Sequence, residues 1–498
     1  MPCVGSSCLR AVLPVSYDMG DPSLAGDSAV SPADRTARSP QTESPGSYGL
    51  RRAVLSPTET LAQSVSTIAP TCTPVATIPL VCALAGNATW LDYVLATIAI
   101  LLVAWCIGRF ARYSSSPGSL YWYASMILPP WLGAAAGWSL LLAYVATGAS
   151  VIGGFYHYAN IMLGQSVGHV ISAVLLAITV AAVSMWIAWR DVKISARLML
   201  WMEAVSVTVI ALVVVLVLAR HGWQGDQEQL RLRGMTGSGL RLGLVLAVFS
   251  FVGFESATTL GAEARDPLRT IPRAVLLSSL LGGVFFTICA YTEVLGFRVA
   301  GRDLGTSAAP FHVLANLGGV PILGPLIDVG ALVSLFAGAL ACITAAARVL
   351  LLMAHGGLTH RSLRSTHARN ETPSGAILTT GLAALIPVAI LAAKGANGLD
   401  VYGWMGSLAT YGFIVTYGLV ALALPRYLRD RHSVANRATK MIPGLACAAM
   451  LLALIGNLYP IPQGPYGKLP YIYLGYMSVV LLWFLLQSRA RTAARAGS

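Results

Sequence analysis

The chain has 498 residues, of which 56% are hydrophobic and only 11% are charged. Soluble domains carry about 25% charged residues, so this composition excludes an ordinary soluble protein and predicts an all-α integral membrane protein. The net charge of +13 would suit a nucleic-acid partner only if the basic residues formed one patch, and they are instead spread along the chain.

Residues 1–52 are rich in Ser, Pro, Asp and Arg and show no apolar period, which predicts a disordered cytoplasmic tail. No apolar core followed by a small-residue cleavage site lies near Met1, so a signal peptide is not expected. Residues 53–488 are predicted to form one membrane domain, and residues 489–498 a short cytoplasmic C-terminal tail.

Twelve apolar segments follow the tail, each of about 20 residues, the length that crosses a bilayer as a helix. The predicted spans are Thr60–Leu84, Leu91–Phe110, Leu132–Phe155, Val170–Trp189, Leu198–Ala219, Leu242–Leu260, Ala274–Phe297, Pro321–Met353, Ile377–Ala393, Tyr402–Leu424, Ile442–Leu458 and Tyr471–Leu486.

The basic residues predict the orientation of these spans. If the N-terminus lies inside and the spans alternate, 25 of the 33 Lys and Arg residues fall on the inside and 8 on the outside. This asymmetry follows the positive-inside rule and predicts a multi-pass protein of the cytoplasmic membrane with both termini in the cytoplasm. The basic residues then face anionic lipid, and no nucleic-acid partner is required.

The first span contains Pro70 and Pro74, with Thr71 and Thr73 between them. A proline inside a helix removes a hydrogen bond and clashes with the preceding turn, at a cost of about 3 kcal/mol. The pair therefore predicts local unwinding of the helix. The alternative is a kinked but continuous span in which the Thr hydroxyls satisfy the freed carbonyls.

The sixth span contains Gly253 and, two residues later, Glu255. An ionisable side chain at membrane depth costs roughly 2.5 to 3.5 kcal/mol, so a simple anchor helix would not retain it. We predict a helix interrupted at Val252 to Glu255; the alternative is a continuous helix whose Glu255 pairs with a neighbour. Interrupted helices at matching positions of two repeats indicate an inverted-repeat transporter with its site at the bilayer midplane.

Unwound backbone offers amides to an anion and carbonyls to a cation, so a zwitterion such as an α-amino acid suits both breaks. Its carboxylate would bind amides near Ala69 to Thr73, and its ammonium would bind carbonyls near Phe249 to Val252. Aromatic rings of the sixth span could pack on the ligand. The candidate substrate-binding residues are Ile68, Ala69, Pro70, Thr71, Cys72, Thr73, Phe249, Ser250, Phe251, Val252, Gly253, Phe254 and Glu255.

The stretch from Phe249 to Ser256, continued by Ala262 to Ala274, resembles the sixth span and following loop of the amino acid–polyamine–organocation transporters. The similarity extends from about Pro57 to the C-terminus. Further matching stretches, at the loop between the second and third spans and around the eighth span, are Ser114–Tyr123, Ala345–Leu350, His355–Leu358 and His367–Pro373.

The resemblance implies a five-plus-five, leucine-transporter-like fold with inverted repeats at about 57–219 and 239–424. It further implies two additional C-terminal helices at about 441–488 and transport by alternating access. It also implies substrate contacts at about Ile68 to Thr73 and Phe249 to Glu255, with Phe249 in the place of the gating aromatic. The first break departs from the family, because many members have a glycine-rich sequence there.

Some members of the family carry a lysine midway along the fifth span that stands in for a sodium ion. Ser206 lies near that position in this chain, with Glu203 one turn earlier. These two residues are candidates for ion coupling, and the coupling ion stays open between a proton and sodium. Glu203 is either a proton carrier or the partner of an arginine at the inner end of a span.

The sequence therefore predicts a secondary active amino acid transporter, a symporter whose partners are a small-molecule substrate and membrane lipid. The alternatives are a polyamine or organic-cation carrier, an exchanger, and a non-transporting amino acid sensor. A membrane enzyme is not expected, because no nucleophile is paired with a base. The eight cysteines lack metal-ligand spacing, so neither a metal nor a cofactor is expected. Nothing in the sequence indicates an oligomeric state, and Glu293 and Asp328 are expected to be interfacial or cavity-lining.

Overall fold

A computed structural model describes residues 48–167, 172–222, 225–307, 309–430, 437–459 and 464–496, so most of the predicted tail, residues 1–47, lies outside it. Regular structure in these ranges is helical, apart from one isolated bridge between Leu55 and Ala264. The α-helices are α1 Pro57–Ile68, α2 Ile78–Ala85, α3 Thr89–Ala111, α4 Ser119–Ser125, α5 Pro130–Val167, α6 Ala173–Arg190, α7 Val192–His221, α8 Gln227–Leu230, α9 Gly237–Phe249, α10 Pro267–Val299, α11 Pro310–Leu317, α12 Leu323–His355, α13 Ser374–Ala393, α14 Gly398–Asp430, α15 Arg437–Leu458 and α16 Leu469–Ala496.

Ten segments of the described chain are long and apolar enough to cross a membrane. The first, Pro57–Ala111, contains α1, α2 and α3, and the apolar α9 is shorter than a span. Several helices extend beyond their predicted apolar segments; α14, for example, runs from Gly398 to Asp430 rather than from Tyr402 to Leu424. Polar ends continue a helix as long as its backbone bonds are made, and hydropathy does not detect them.

Close packing of helices around the site depends on small residues. A Cβ on Gly412 of α14 would lie 2.5 Å from the carbonyl oxygen of Ser139 on α5. A Cβ on Gly283 of α10 would lie 2.3 Å from Cγ2 of Thr97 on α3. Glycine lets helices inside a membrane approach to backbone contact. The pairs α5–α14 and α3–α10 therefore form two tightly packed walls beside the interrupted helices.

The first span is interrupted where the prolines predict it. Ser56 caps α1 through a reciprocal pair of bonds with Glu59, and α1 ends at Ile68. Ala69 then adopts a left-handed conformation (φ 50°), which L-residues other than glycine rarely adopt. A π-helix over Thr73–Thr77 follows and leads into α2.

The sixth span is also interrupted, over a longer stretch than predicted. Within the predicted span Leu242–Leu260, α9 ends at Phe249 and a 3₁₀-helix occupies Ser256–Leu260. Residues 250–255 form turns between them, and Gly253 has a φ of +91°. A residue with a side chain would be strained at that φ, so the glycine explains where the helix stops.

Residues 51–55, at the end of the predicted tail and just beyond it, pack against one end of the bundle. Arg51 forms ion pairs with Asp191, at 2.6 Å, and Glu371, at 3.1 Å. The backbone amides of Val54 and Leu55 donate to the carbonyl of Glu263 at 2.8 and 2.9 Å. We call this end of the bundle, marked by Arg51, Asp191, Glu371 and residues 53–55, the basic face.

Candidate functional site

The two interrupted helices meet at their breaks. Thr67 Oγ1, at the end of α1, lies 2.8 Å from Ser256 Oγ, and Ser256 Oγ also donates to the Gln63 carbonyl at 3.1 Å. A Cβ on Gly253 would lie only 2.2 Å from Thr67 Cγ2. Glycine at position 253 therefore provides both an unusual φ and the space in which the first helix touches the sixth.

Glu255 is fully buried beside this contact, and both of its carboxylate oxygens accept a hydrogen bond. Tyr144 Oη on α5 donates to Oε1 at 2.7 Å, and Tyr417 Oη on α14 donates to Oε2 at 2.5 Å. The Gly253 amide donates to Tyr417 Oη at 3.4 Å. The two interpretations of the sequence are therefore compatible: the helix is interrupted, and Glu255 also bonds to neighbouring helices. Two donors make burial of a carboxylate tolerable.

Phe249 lies at the other side of the break and joins the sixth span to α14. Its ring packs edge to face on Tyr402, with the ring centres 5.9 Å apart, and a Cβ on Gly406 would lie 2.2 Å from its Cζ. Tyr402 Oη in turn lies 3.2 Å from Thr77 Oγ1 in the π-helix of the first span. Phe249 and Tyr402 therefore pack together beside the two breaks; the gating role of Phe249 stays a prediction.

The other aromatic candidates of the sixth span point at neighbouring helices. Phe251 packs on Phe286 of α10, with ring centres 5.4 Å apart, and Phe254 packs on Tyr417 at 5.3 Å. Ser250 Oγ lies 3.1 Å from Tyr93 Oη on α3. These three residues connect the break to α3, α10 and α14.

The candidates of the first break are buried and face α12 as well as the sixth span. The Cβ of Ala69 would lie 3.4 Å from a Cβ at Gly338, and Cys72 Sγ lies 4.0 Å from Ser334 Oγ. Thr71 Oγ1 is buried and has no hydrogen-bond partner among the described residues, so it is available to a ligand. The remaining candidates of both breaks are also buried: Ile68, Pro70, Thr73 and Val252.

Glu203 and Ser206 both face α12 from α7. Ser334 Oγ lies 2.9 and 3.0 Å from the two Glu203 oxygens, so its single proton is shared between them. Ser206 Oγ donates to the Gly330 carbonyl at 3.1 Å. The partner of Glu203 is thus a serine rather than an arginine. Through Ser334 and Cys72, Glu203 is connected to the first break.

Two surface cavities lie away from the breaks. One of about 410 Å³ is lined by Tyr156, Asn160 and the turn at 395–398. The other, of about 310 Å³, is an apolar groove between α7 and α12 beside Trp201. In this conformation the breaks themselves are in contact. Among the described residues, no group of three or more His, Cys, Asp or Glu is placed to hold a metal ion.

Sequence reasoning missed the residues that hold the breaks from other helices, above all Tyr144, Tyr417, Tyr402 and Ser334. The sequence did contain a signal for two of them. Tyr144 and Tyr417 lie in the middle of predicted spans, where a hydroxyl has no water and needs a partner inside the protein. A tyrosine at mid-membrane depth therefore indicates a polar contact, although the sequence does not identify the partner.

Comparison with known proteins adds the family to this geometry. The family model described as amino acid permease matches residues 60–494. The chain belongs to the amino acid permease family. This confirms the resemblance to the amino acid–polyamine–organocation transporters and makes the chain a multi-pass membrane protein.

Two relatives and one solved structure illustrate the likeness of this permease to known proteins. An uncharacterized transporter of Mycobacterium tuberculosis is 29% identical over 375 residues, covering 74% of this chain and 79% of that protein. The low-affinity putrescine importer PlaP of Escherichia coli is 26% identical over 319 residues, 59% of this chain and 66% of the importer. The crystal structure of MhsT in complex with L-phenylalanine superimposes with a TM-score of 0.55 at 15% identity, covering 82% of this chain and 99% of MhsT. The permease therefore shares the leucine-transporter-like fold.

Proposed function

We propose that this permease is a secondary active transporter that moves an amino acid across the cytoplasmic membrane by alternating access. The observation that carries the proposal is the contact of two interrupted helices at Gly253 and Thr67 in a member of the amino acid permease family. The proposal includes twelve spans, with the broken helices as the first and the sixth, inverted repeats at about 57–219 and 239–424, and both termini in the cytoplasm.

The substrate would bind where backbone groups are free of helical bonds. The carboxylate of the amino acid would accept from amides between Ala69 and Thr73, with the unpaired Thr71 hydroxyl as a further donor. Its ammonium would bind carbonyls between Phe249 and Val252. Binding separates the breaks enough to admit the ligand, and both closures then form around it.

Two closures on opposite sides of the breaks support alternating access. On one side, the Phe249 ring lies between the break and Tyr402. On the other, Glu255 is held by Tyr144 and Tyr417. Opening either side requires breaking one set of contacts while the other remains, which is the requirement for a carrier that never opens to both sides at once.

Ion coupling is proposed at Glu203. In the described part of the chain, the Ser334 hydroxyl is the single donor that compensates for the burial of its carboxylate. Ser334 and Cys72 also connect Glu203 to the first break. A proton on Glu203 would remove the charge, whereas sodium would need it. Symport with either ion would let an inward gradient drive accumulation, and the same site without coupling would give an exchanger.

The polyamine alternative is supported by the likeness to the putrescine importer PlaP. A diamine would require a carboxylate that is free to receive its second ammonium. Both oxygens of Glu255 already accept hydrogen bonds from tyrosines. The occupied carboxylate favours a net-neutral amino acid, and a competition panel of the twenty amino acids with γ-aminobutyrate and putrescine distinguishes the two classes.

Uptake into proteoliposomes tests the proposal. We expect Gly253→Ala to abolish binding and flux, because the new Cβ meets Thr67. The matched control is Gly301→Ala, which also has a positive φ (+63°) but no atom within 4 Å of the new Cβ. Equal flux in the two variants would show that the sixth-helix break is not part of the substrate site. Binding without flux in the native protein would identify a sensor instead.

A further inference from the structure

Two carboxylates inside the spanning helices have no hydrogen-bond donor among the described residues. Glu293 on α10 and Asp92 on α3 are both 0% exposed, and all four of their oxygens lack a partner. Every other buried carboxylate of the described interior has one. These pairs are Glu59 with Arg197, Glu203 with Ser334, Glu255 with two tyrosines, Glu263 with Arg348, Asp226 with Arg298, and Asp328 with His312.

Glu293 forms no ion pair among the described residues, and the nearest arginine of its own helix, Arg298, is paired with Asp226. The titratable groups within its electrostatic reach are Cys82 on α2, Tyr93 on α3, Tyr158 on α5 and Cys289 on its own helix. None of these becomes a cation. An ionised carboxylate that is buried without a cation or a donor is strongly unfavourable, and a neutral acid is far less so. A proton is the counter-charge that this environment can accept.

Asp92 differs from Glu293 in one respect. It lies in the first turn of α3, where the positive end of the helix dipole favours a negative charge. Glu293 lies in the interior of α10, well away from the N-terminal end of the helix, and receives no such stabilisation of a negative charge. The helix ends therefore make Glu293 the stronger proton acceptor of the two.

Glu293 is connected to the sixth-helix break through one face of α10. Phe286, Ala290 and Glu293 follow one another at intervals of four and three residues, which places them on one side of the helix. Phe286 packs on Phe251 of the break at 5.4 Å and on Tyr93 at 6.0 Å. Tyr93 Oη lies 3.1 Å from Ser250 Oγ. A charge that forms at Glu293 therefore acts on the helix face that supports the break.

We propose that Glu293 is a proton-binding site of this permease, separate from the substrate site and from Glu203, with Asp92 as a weaker second site. The carboxylic acid is neutral in the closed conformation. When the helices around α9 separate and water enters, the O–H bond breaks, the proton passes to water and the carboxylate remains hydrated. Closure returns a proton from water to the same oxygen.

The direction of the pH effect follows from this exchange. Because the closed conformation holds the proton and the opened one releases it, acid favours the closed bundle and alkali favours the opened one. One linked proton changes such an equilibrium by at most about tenfold per pH unit. The proposal relies on the proposed transport only for its effect on flux, and the protonation state can be measured without substrate.

Infrared difference spectroscopy of the purified native protein is the primary test. At neutral pH we expect carboxylic acid C=O absorption that shifts when H₂O is replaced by D₂O, with a component that is lost in Glu293→Gln and that persists in Asp92→Asn. Glu228→Gln is the matched control, because Glu228 lies near the surface and is paired with Arg233. Sodium titration should leave the band unchanged.

A native protein with no carboxylic acid band at neutral pH would overturn the proposal without any variant having to fold. Loss of the band in Asp92→Asn and its survival in Glu293→Gln would overturn the assignment to Glu293, and loss of the band on addition of sodium would show a cation site instead. If the band behaves as expected while proteoliposomes show no flux, the transport proposal fails and the proton site stands.

Discussion

Arg348 and Glu263 form a buried ion pair with two hydrogen bonds of 2.6 Å, between side chains that are 2% and 0% exposed. Glu263 follows the sixth-helix break, and Arg348 belongs to α12. The Glu263 carbonyl also accepts the bonds from Val54 and Leu55. One residue thus joins the break, α12 and the N-terminal segment at the basic face.

Loss of one partner of this pair should be costly. Glu263→Gln leaves the Arg348 guanidinium buried without its counter-charge, and such losses cost about 3–5 kcal/mol. We expect a lower thermal unfolding temperature in detergent, and the double variant Glu263→Gln/Arg348→Met should recover part of the loss. If the double variant loses as much as the sum of the two single variants, the two residues are not coupled.

The Arg51 contacts should stabilise closure of the basic face only weakly. The hydrogen bond to Glu371, and next that to Asp191, raise the pKa of Arg51 above its ordinary value, so it stays charged. Both pairs are partly exposed, so solvent screening limits them together to about 1 kcal/mol. Arg51→Glu should therefore increase opening about fivefold.

The native Cys72, buried in the first break, reports this opening. Its modification by a maleimide, followed by mass spectrometry at that residue, should be faster in Arg51→Glu than in the native protein. Arg52→Glu is the control, because the described structure contains no ion pair of Arg52. Equal labelling in both variants would mean that the Arg51 contacts do not hold the face closed.

The two tyrosines at Glu255 should contribute more than an ordinary hydroxyl. Removing a hydrogen bond to a charged group costs about 1.5–3 kcal/mol, and removing a neutral one about 1 kcal/mol. We expect Tyr417→Phe to destabilise the protein more than Tyr411→Phe, whose hydroxyl donates to the Asn457 carbonyl from the same helix. Unfolding in detergent measures both, and equal losses would show that Glu255 is not charged.

Phe249 should control how long the substrate is retained. Phe249→Ala removes the ring that packs on Tyr402, so release becomes faster and the half-saturating substrate concentration rises. Phe285→Ala, a half-buried phenylalanine outside the two breaks, is the control for the loss of an aromatic side chain. A change in both variants of the same size would point to general loosening of the bundle.

Substitution of Glu203 should separate gradient-driven accumulation of the substrate from substrate exchange. If this residue carries the coupling proton, Glu203→Gln should abolish gradient-driven accumulation while exchange of labelled for unlabelled substrate continues. Ser334→Ala removes the hydroxyl that bonds to Glu203 and, among the described residues, its only hydroxyl partner; it should change the pH profile of uptake without abolishing it. Accumulation that persists in Glu203→Gln, with its dependence on the proton gradient unchanged, would exclude this residue.

The positions of both breaks could be predicted from local sequence, whereas their extent could not. Pro70 and Pro74 block helical bonding by their covalent structure, and Gly253 permits a φ of +91°. Ala69 gave no such signal, since an alanine with a φ of 50° is held there by its surroundings rather than by its own preference. The turns from 250 to 255 likewise depend on contacts with Tyr417 and Thr67.

What the sequence determined by itself was the membrane class, the approximate spans and the two interruptions, because apolar length, proline and glycine act on the chain locally. The tertiary structure decided the partners: Tyr144 and Tyr417, 111 and 162 residues away from Glu255, and the serine rather than the arginine at Glu203. It also decided that Glu293 has no hydrogen-bond partner among the residues that the structure describes. Whether a buried polar group is satisfied depends on side chains that other helices bring within about 3 Å, and no local pattern of residues specifies that distance.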